Sequence, residues 1–153
     1  MGYTHYYEII DENADLKVVE IGRDIAEVIR RCEIPIGDGN GTPDSAPQIT
    51  KKAAIFNGLK PNDYERFCYP PDFELNKRCG LRAGFEFSKT ARRPYDIVVC
   101  VALLVLKHHL GEGVRISSDG RLNELGWRKA IALHDYIFKD RDGETLAAEL
   151  TKQ

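Results

Sequence analysis

The chain has 153 residues, 42% apolar and 30% charged, with a formal net charge of −2. That is enough for one domain with an ordinary core, and the charge gives no chain-wide attraction to nucleic acid or to an anionic membrane. Any anion site must therefore be local, and a nucleic-acid partner is not expected. Met1 to Ile10 has no basic segment followed by an apolar run, so no export signal is expected. The four cysteines stand apart in sequence, which fits free thiols in a reducing cytoplasm.

Taken in order, Gly2 to Ile10 reads as a strand. Tyr3, His5, Tyr7 and Ile9 share one face, and Thr4, Tyr6, Glu8 and Ile10 the other. The rings form either a packed aromatic face or a wall on which a base can stack. Asp11 to Asn13 supply turn and cap residues. A helix then runs to about Cys32, with Val18, Ile21, Ile25, Val28, Ile29 and Cys32 on one stripe. Residues 35–47 form a loop rich in glycine, proline and short polar residues, a candidate flap. Its acidic residues lack calcium-loop spacing, and no Gly-Lys-Ser/Thr makes it a P-loop. Ile49 to Asn57 and Tyr64 to Tyr69 read as strands, and Asp72 to Arg82 as an irregular connection.

Phe85 to Leu110 organises the rest. Phe85 and Phe87 alternate with Glu86 and Ser88, as in a half-buried strand. Lys89, Arg92 and Arg93 crowd the turn that follows. Pro94 suits a first helical residue, and Asp96 suits the positive end of the helix dipole. Ile97 to Leu106 is unbroken apolar sequence, too short for a bilayer, which takes roughly 20 residues. Gly111 is placed as the C-terminal cap. A buried helix whose start is ringed by cations is a ready phosphate or carboxylate site. Val114 to Ser118 reads as a short strand turning at Asp119-Gly120. Asn123 or Asp119 is placed as cap of a helix whose inward face is Trp127, Ala130, Ile131, His134, Ile137 and Phe138. Glu144 to Gln153 reads as a short terminal helix.

The expected fold is a single α+β domain in the order β-α-β-β-β-α-β-α. A mostly antiparallel sheet of about five strands, its second to fourth strands a meander, carries three helices.

Four stretches resemble a family of small uncharacterised proteins of bacteriophages and prophages. They are Met1-Gly-Tyr-Thr-His-Tyr6; Phe56-Asn57-Gly58 followed by Glu65-x-Phe67; Phe87-x-Lys-Thr-Ala-Arg-x-Pro-Tyr-Asp96; and Ser117-Ser-Asp-Gly120 with Trp127 soon after. Tyr7 stands where a tryptophan is usual and Ser88 where a cysteine is usual, and the latter argues against a catalytic thiol there. The resemblance implies a viral accessory protein in the host cytoplasm with a shared site, and no reaction.

The shared motifs sit at strand ends and a helix start, where ligands collect in mixed sheets. The expected ligand-binding set is Tyr3, His5, Tyr6, Asn57, Glu65, Lys89, Thr90, Arg92, Tyr95, Asp96, Ser118 and Asp119. A phosphate would take N–H groups from Tyr95 and Asp96 and charge from Arg92 or Lys89. The competing reading has Lys89, Arg92, Asp96 and Asp119 simply capping and pairing across the turn. No catalytic residue, metal or cofactor is expected. Lys107-His108-His109 is explained by cations at a helix C-terminus, and Glu86 and Lys89 alternate to opposite faces, which spoils a nuclease pairing. The leading expectation is binding of a small phosphorylated ligand, a nucleotide among them, without turnover. The alternatives are a phosphodiester hydrolase or nuclease, with His5, Lys89 and a carboxylate (Glu65 or Asp96) in play, and a protein-interaction module directed at a host protein. A homodimer is compatible with a chain of this size.

Overall fold

A computed structural model describes residues 2–152. The chain runs β1 (Thr4–Ile9), α1 (Val18–Arg31), β2 (Ile36–Gly37), β3 (Gln48–Ile49), β4 (Ala54–Gly58), β5 (Phe67–Tyr69), α2 (Phe73–Arg78), β6 (Phe85–Lys89), α3 (Asp96–Leu110), β7 (Val114–Ser118), α4 (Leu125–Ile137), α5 (Gly143–Ala147) and β8 (Thr151–Lys152). The α+β class is as expected. The strands, however, divide into two sheets rather than one.

The first sheet has the order β6-β1-β7-β8. β1 is antiparallel to both neighbours, and β8 joins β7 in parallel. The second is a small antiparallel patch centred on β4, which pairs with β2, β3 and β5. The expected meander is thus half right. β4 and β5 pair, but the next strand, β6, leaves them for β1. Ile49 to Asn57 is not one strand either. It folds back, with the Thr50 N–H bonded to the Ala53 carbonyl and Ile49 opposite Ala54.

Helix α3 is the centre of the core. Residues 98–106 are all buried and all apolar, as a helix stretch enclosed on every side must be. It packs on β1 and β7, with α1, α4 and α5 around it. Gly111 ends it at φ 54°, a conformation that costs glycine nothing. Its start is two residues later than Pro94 suggests. The Asp96 N–H is bonded to the Arg93 carbonyl, so Arg93 to Tyr95 form a separate turn.

The remaining differences are local. α1 begins at Val18, because Lys17 takes a left-handed conformation (φ 47°) and its N–H is held by the Asp15 carboxylate. The connection after Pro71 contains α2, capped by the Asp72 side chain on the Leu75 N–H. Glu124, not Asn123 or Asp119, precedes α4. Residues 143–152 form a short helix and an added strand rather than one helix. All four cysteines are unpaired, and among the described residues no helix is long and apolar enough to cross a membrane.

A buried polar clamp beside a cationic cleft

Strand alternation turns His5, Tyr7 and Ile9 of β1 toward α3. Register sets His5 between Ser88 of β6 and Ser118 of β7. Asp96 is the first residue of α3, under the same sheet. The result is a closed set of buried polar groups. The His5 Nε2 lies 2.6 Å from Asp96 Oδ1, and its Nδ1 lies 2.8 Å from Ser118 Oγ. The Thr90 hydroxyl donates to the same Asp96 oxygen at 2.5 Å. Ser118 Oγ also accepts from the Gly120 N–H at 2.9 Å and from the Trp127 indole N–H at 3.2 Å.

Counting lone pairs fixes the protons. A hydroxyl oxygen accepts two hydrogen bonds and donates one. Gly120 and Trp127 fill both lone pairs of Ser118, so its proton goes to His5 Nδ1. His5 is then the neutral tautomer that carries hydrogen on Nε2 and donates to Asp96. The order of groups is that of a hydrolytic triad, but the serine has no exposure and no free lone pair. It ties β7 to β1 and α4. A nucleophile must reach a substrate, and this one does not.

Cys100 completes the cluster from the next turn of α3. Its Sγ is 3.5 Å from His5 Nε2 and 3.9 Å from Asp96 Oδ2, and burial, with Asp96 beside it, pushes the thiol well above its usual range. His5, Asp96 and Cys100 are residue types that bind metal. Two ligands of a tetrahedral zinc ion stand about 3.3 Å apart at usual bond lengths, whereas the His5–Asp96 separation of 2.6 Å is that of a hydrogen bond. The cluster fits an ion only if that bond opens.

Asp96 leads outward. It lines an open cleft of about 320 Å³ between the starts of α3 and α4, together with Arg92, Arg93, Pro94, Ile97, Leu125, Gly126 and Lys129. Arg93 and Lys129 make no ion pair among the described residues. Arg92 stacks over the Tyr3 ring at 3.8 Å and reaches Glu124 at 3.5 Å. The turn that presents these arginines is strained, with Ala91 at φ 52° and Arg92 at φ 59°. Two successive non-glycine residues in that region cost about 1–2 kcal/mol each, and here the Tyr3 carbonyl holds the turn through the Thr90 and Ala91 N–H groups.

The expected residues therefore separate. His5, Thr90, Asp96 and Ser118 meet in the clamp, and Tyr3 lies edge-on to His5 with ring centroids 5.0 Å apart. Arg92 stands at the cleft above Tyr3. Asp119 turns back to the Thr4 N–H at 3.0 Å and receives the Tyr6 hydroxyl at 3.4 Å. Tyr6 itself is on the opposite face of the sheet. Asn57 is a loop anchor: its amide donates to the Gly39 and Tyr64 carbonyls, and its oxygen accepts from the Gly58 and Tyr64 N–H groups. Glu65 caps the edge of β6 by accepting from the Lys89 N–H at 2.9 Å, and its carbonyl receives the Tyr95 hydroxyl. The expected phosphate pose fails in one respect, since the Asp96 N–H is already bonded to Arg93. Cys100, Trp127, Arg93 and Lys129 were not among the expected residues. Arg93 was visible as one of the crowded cations and Trp127 as a motif residue on an inward face. Lys129 gives no sequence signal, because only the packing of α4 on α3 brings it to the cleft.

The chain matches no family model, no curated protein and no solved structure.

Proposed function

We propose that this protein binds a small phosphorylated ligand, of the nucleotide class, in the cleft between α3 and α4, without turning it over. The observation that carries this reading is the pair of cations, Arg93 and Lys129, that face one cleft with no ion-pair partner among the described residues. Arg92 adds a third charge, and the starts of two helices add partial positive charge. Arg93 supplies bidentate donors for a phosphate and Lys129 a compact point charge. The Asp96 carboxylate at the floor offers an acceptor for a hydroxyl or amino group elsewhere on the same ligand. A ligand with an anion at one end and donors at the other suits both. Burial of Ser118 and of the Cys100 thiol argues against covalent catalysis and supports binding. The resemblance to phage proteins fits such a role, since removal of a host nucleotide by tight binding serves a virus.

The test is thermal unfolding with inorganic phosphate, mononucleotides, dinucleotides and cyclic oligonucleotides, wild type beside the Arg93→Ala/Lys129→Ala double variant. At a hundredfold excess over Kd a native-state ligand stabilises by about 2.7 kcal/mol, roughly 5–10 °C for a domain of this size. The expected result is a rise in wild type that is lost in the double variant. An equal rise in both, or none with any compound at millimolar concentration, refutes the reading. Analysis of the same samples for product separates binding from hydrolysis. The hydrolase reading keeps one supporting observation, the His5–Asp96 pair that adjoins the cleft.

A further inference from the structure

The other face of the first sheet carries a different set of residues. Tyr6 of β1 lies opposite Phe87 of β6 and Ser117 of β7, and Glu8 lies opposite Phe85 and Arg115. With a period of two, these side chains point away from α3. The ring centroids of Tyr6 and Phe85 are 6.1 Å apart, and so are those of Phe85 and Phe87. Three rings thus form one continuous patch, and Phe87 is 47% exposed. The Arg82 guanidinium sits 5.5 Å from the Phe85 centroid. Arg82 and Arg115 approach the single carboxylate of Glu8, at 3.3 and 3.8 Å, and both side chains are largely exposed. Two cations share the Glu8 carboxylate, while Asp119 meets the Tyr6 hydroxyl at the far end, so the cationic end of the patch is the one at Arg82 and Arg115. A groove of about 180 Å³ runs among Tyr6, Glu8, Arg82, Phe85, Arg115 and Ser117.

We infer that this face binds single-stranded nucleic acid, with bases stacked on Tyr6, Phe85 and Phe87 and phosphates held by Arg82 and Arg115. The inference does not rest on the cleft between α3 and α4.

Three considerations select this occupant. Flat rings on an open sheet accept the faces of unpaired bases regardless of sequence. The arginines beside them match phosphate in charge and in geometry. A peptide adding as a further strand meets an obstructed edge, because Glu65 already takes the Lys89 N–H and carbonyl. The net charge of −2 supplies no long-range attraction. That argues against a duplex, whose binding rests on phosphate charge, but not against stacking, which is a contact effect. Glu8 stands between the two arginines and must yield them to a phosphate, so binding is expected to be moderate and sensitive to salt.

The experiment is fluorescence anisotropy with labelled dT12 and U12 at low salt, with a DNA duplex of equal length as comparison. The expected Kd for the single strands is of the order of 10 µM, within the range of non-specific binding, and the duplex binds more weakly. Phe87→Ala weakens binding about tenfold or more, at the stacking worth of one base. Its exposure makes it tolerable to the fold, which circular dichroism checks. Arg82→Ala/Arg115→Ala flattens the dependence of log Kd on log salt by about 1.4, two single-strand phosphate contacts. The inference is overturned if no single strand binds at low salt, if the duplex binds equally well, or if Phe87→Ala leaves binding unchanged. It is also overturned if the face proves to be a self-association surface, seen as a mass increase with concentration that Phe87→Ala removes while oligonucleotides do not bind.

Discussion

Ser118→Ala should be among the most damaging single-atom deletions in this chain. Ser118 Oγ serves three buried partners: His5 Nδ1 at 2.8 Å, the Gly120 N–H at 2.9 Å and the Trp127 indole N–H at 3.2 Å. Ser118, His5 and Trp127 are each 1% exposed or less, so water does not replace the lost oxygen without rearrangement. A buried donor or acceptor left unpaired costs about 1–3 kcal/mol. Three such groups, relaxing partly together, give roughly 3–5 kcal/mol, against a total stability of about 5–15 kcal/mol for a typical domain. At about 2–4 °C per kcal/mol for this size, the melting temperature falls by roughly 6–20 °C. Urea unfolding of wild type, Ser118→Ala, Trp127→Phe and the double variant measures the effect and its cause. Trp127→Phe should cost about 1 kcal/mol less in the alanine background, because its indole donor is already stranded there. A loss below 1 kcal/mol for Ser118→Ala, or strict additivity in the cycle, would refute the proton assignment and with it the view that Ser118 is a clamp.

Two further effects follow from burial. The Tyr3 hydroxyl is buried without a hydrogen-bond partner among the described residues, and Gly120 passes so close that a methyl group there would overlap it. Tyr3→Phe should therefore raise stability by about 0.5–1 kcal/mol, since it removes an unpaired polar group and keeps the ring under Arg92; a lower urea midpoint would show that the hydroxyl is satisfied. Glu86, partly buried beneath the sheet, has its carboxyl raised above its ordinary value, chiefly by desolvation. The folded state thus holds the proton more strongly than the unfolded one, and stability falls as pH rises from the ordinary carboxyl value through the raised one. Glu86→Gln removes that penalty. Its urea midpoint should exceed wild type near pH 7 and converge with it near pH 4; a deficit at neutral pH would refute the sign.

Local pattern was enough for the elements that bury a regular face. The ten apolar residues of α3 and its glycine stop, the alternation of β1 and the inward stripe of α4 are all legible, because 3.6-residue and two-residue periods report directly which side chains leave water. Even the division of β1 into a face with His5 and a face with Tyr6 follows from that period. Short polar segments were less legible. Lys17 and Arg92 take left-handed conformations that their side chains do not announce, and β3 and β4 fold back on each other within what reads as one strand.

Strand partnership was decided only by the tertiary structure. β6 follows β5 in sequence yet pairs with β1, and this places Ser88 beside His5 and Phe87 beside Tyr6. A slip of one residue would exchange the two faces, and what prevents it is burial summed over the whole sheet against α3, a quantity no local window contains. The same holds for the site. The sequence marked His5, Thr90, Asp96 and Ser118 singly. That Asp96 meets His5, that Ser118 is enclosed by Trp127, and that Lys129 stands across a cleft from Arg93 all depend on how α3 and α4 pack beneath β1 and β7. Contacts between residues so distant in sequence form only because the assembled core repays the chain entropy of bringing them together.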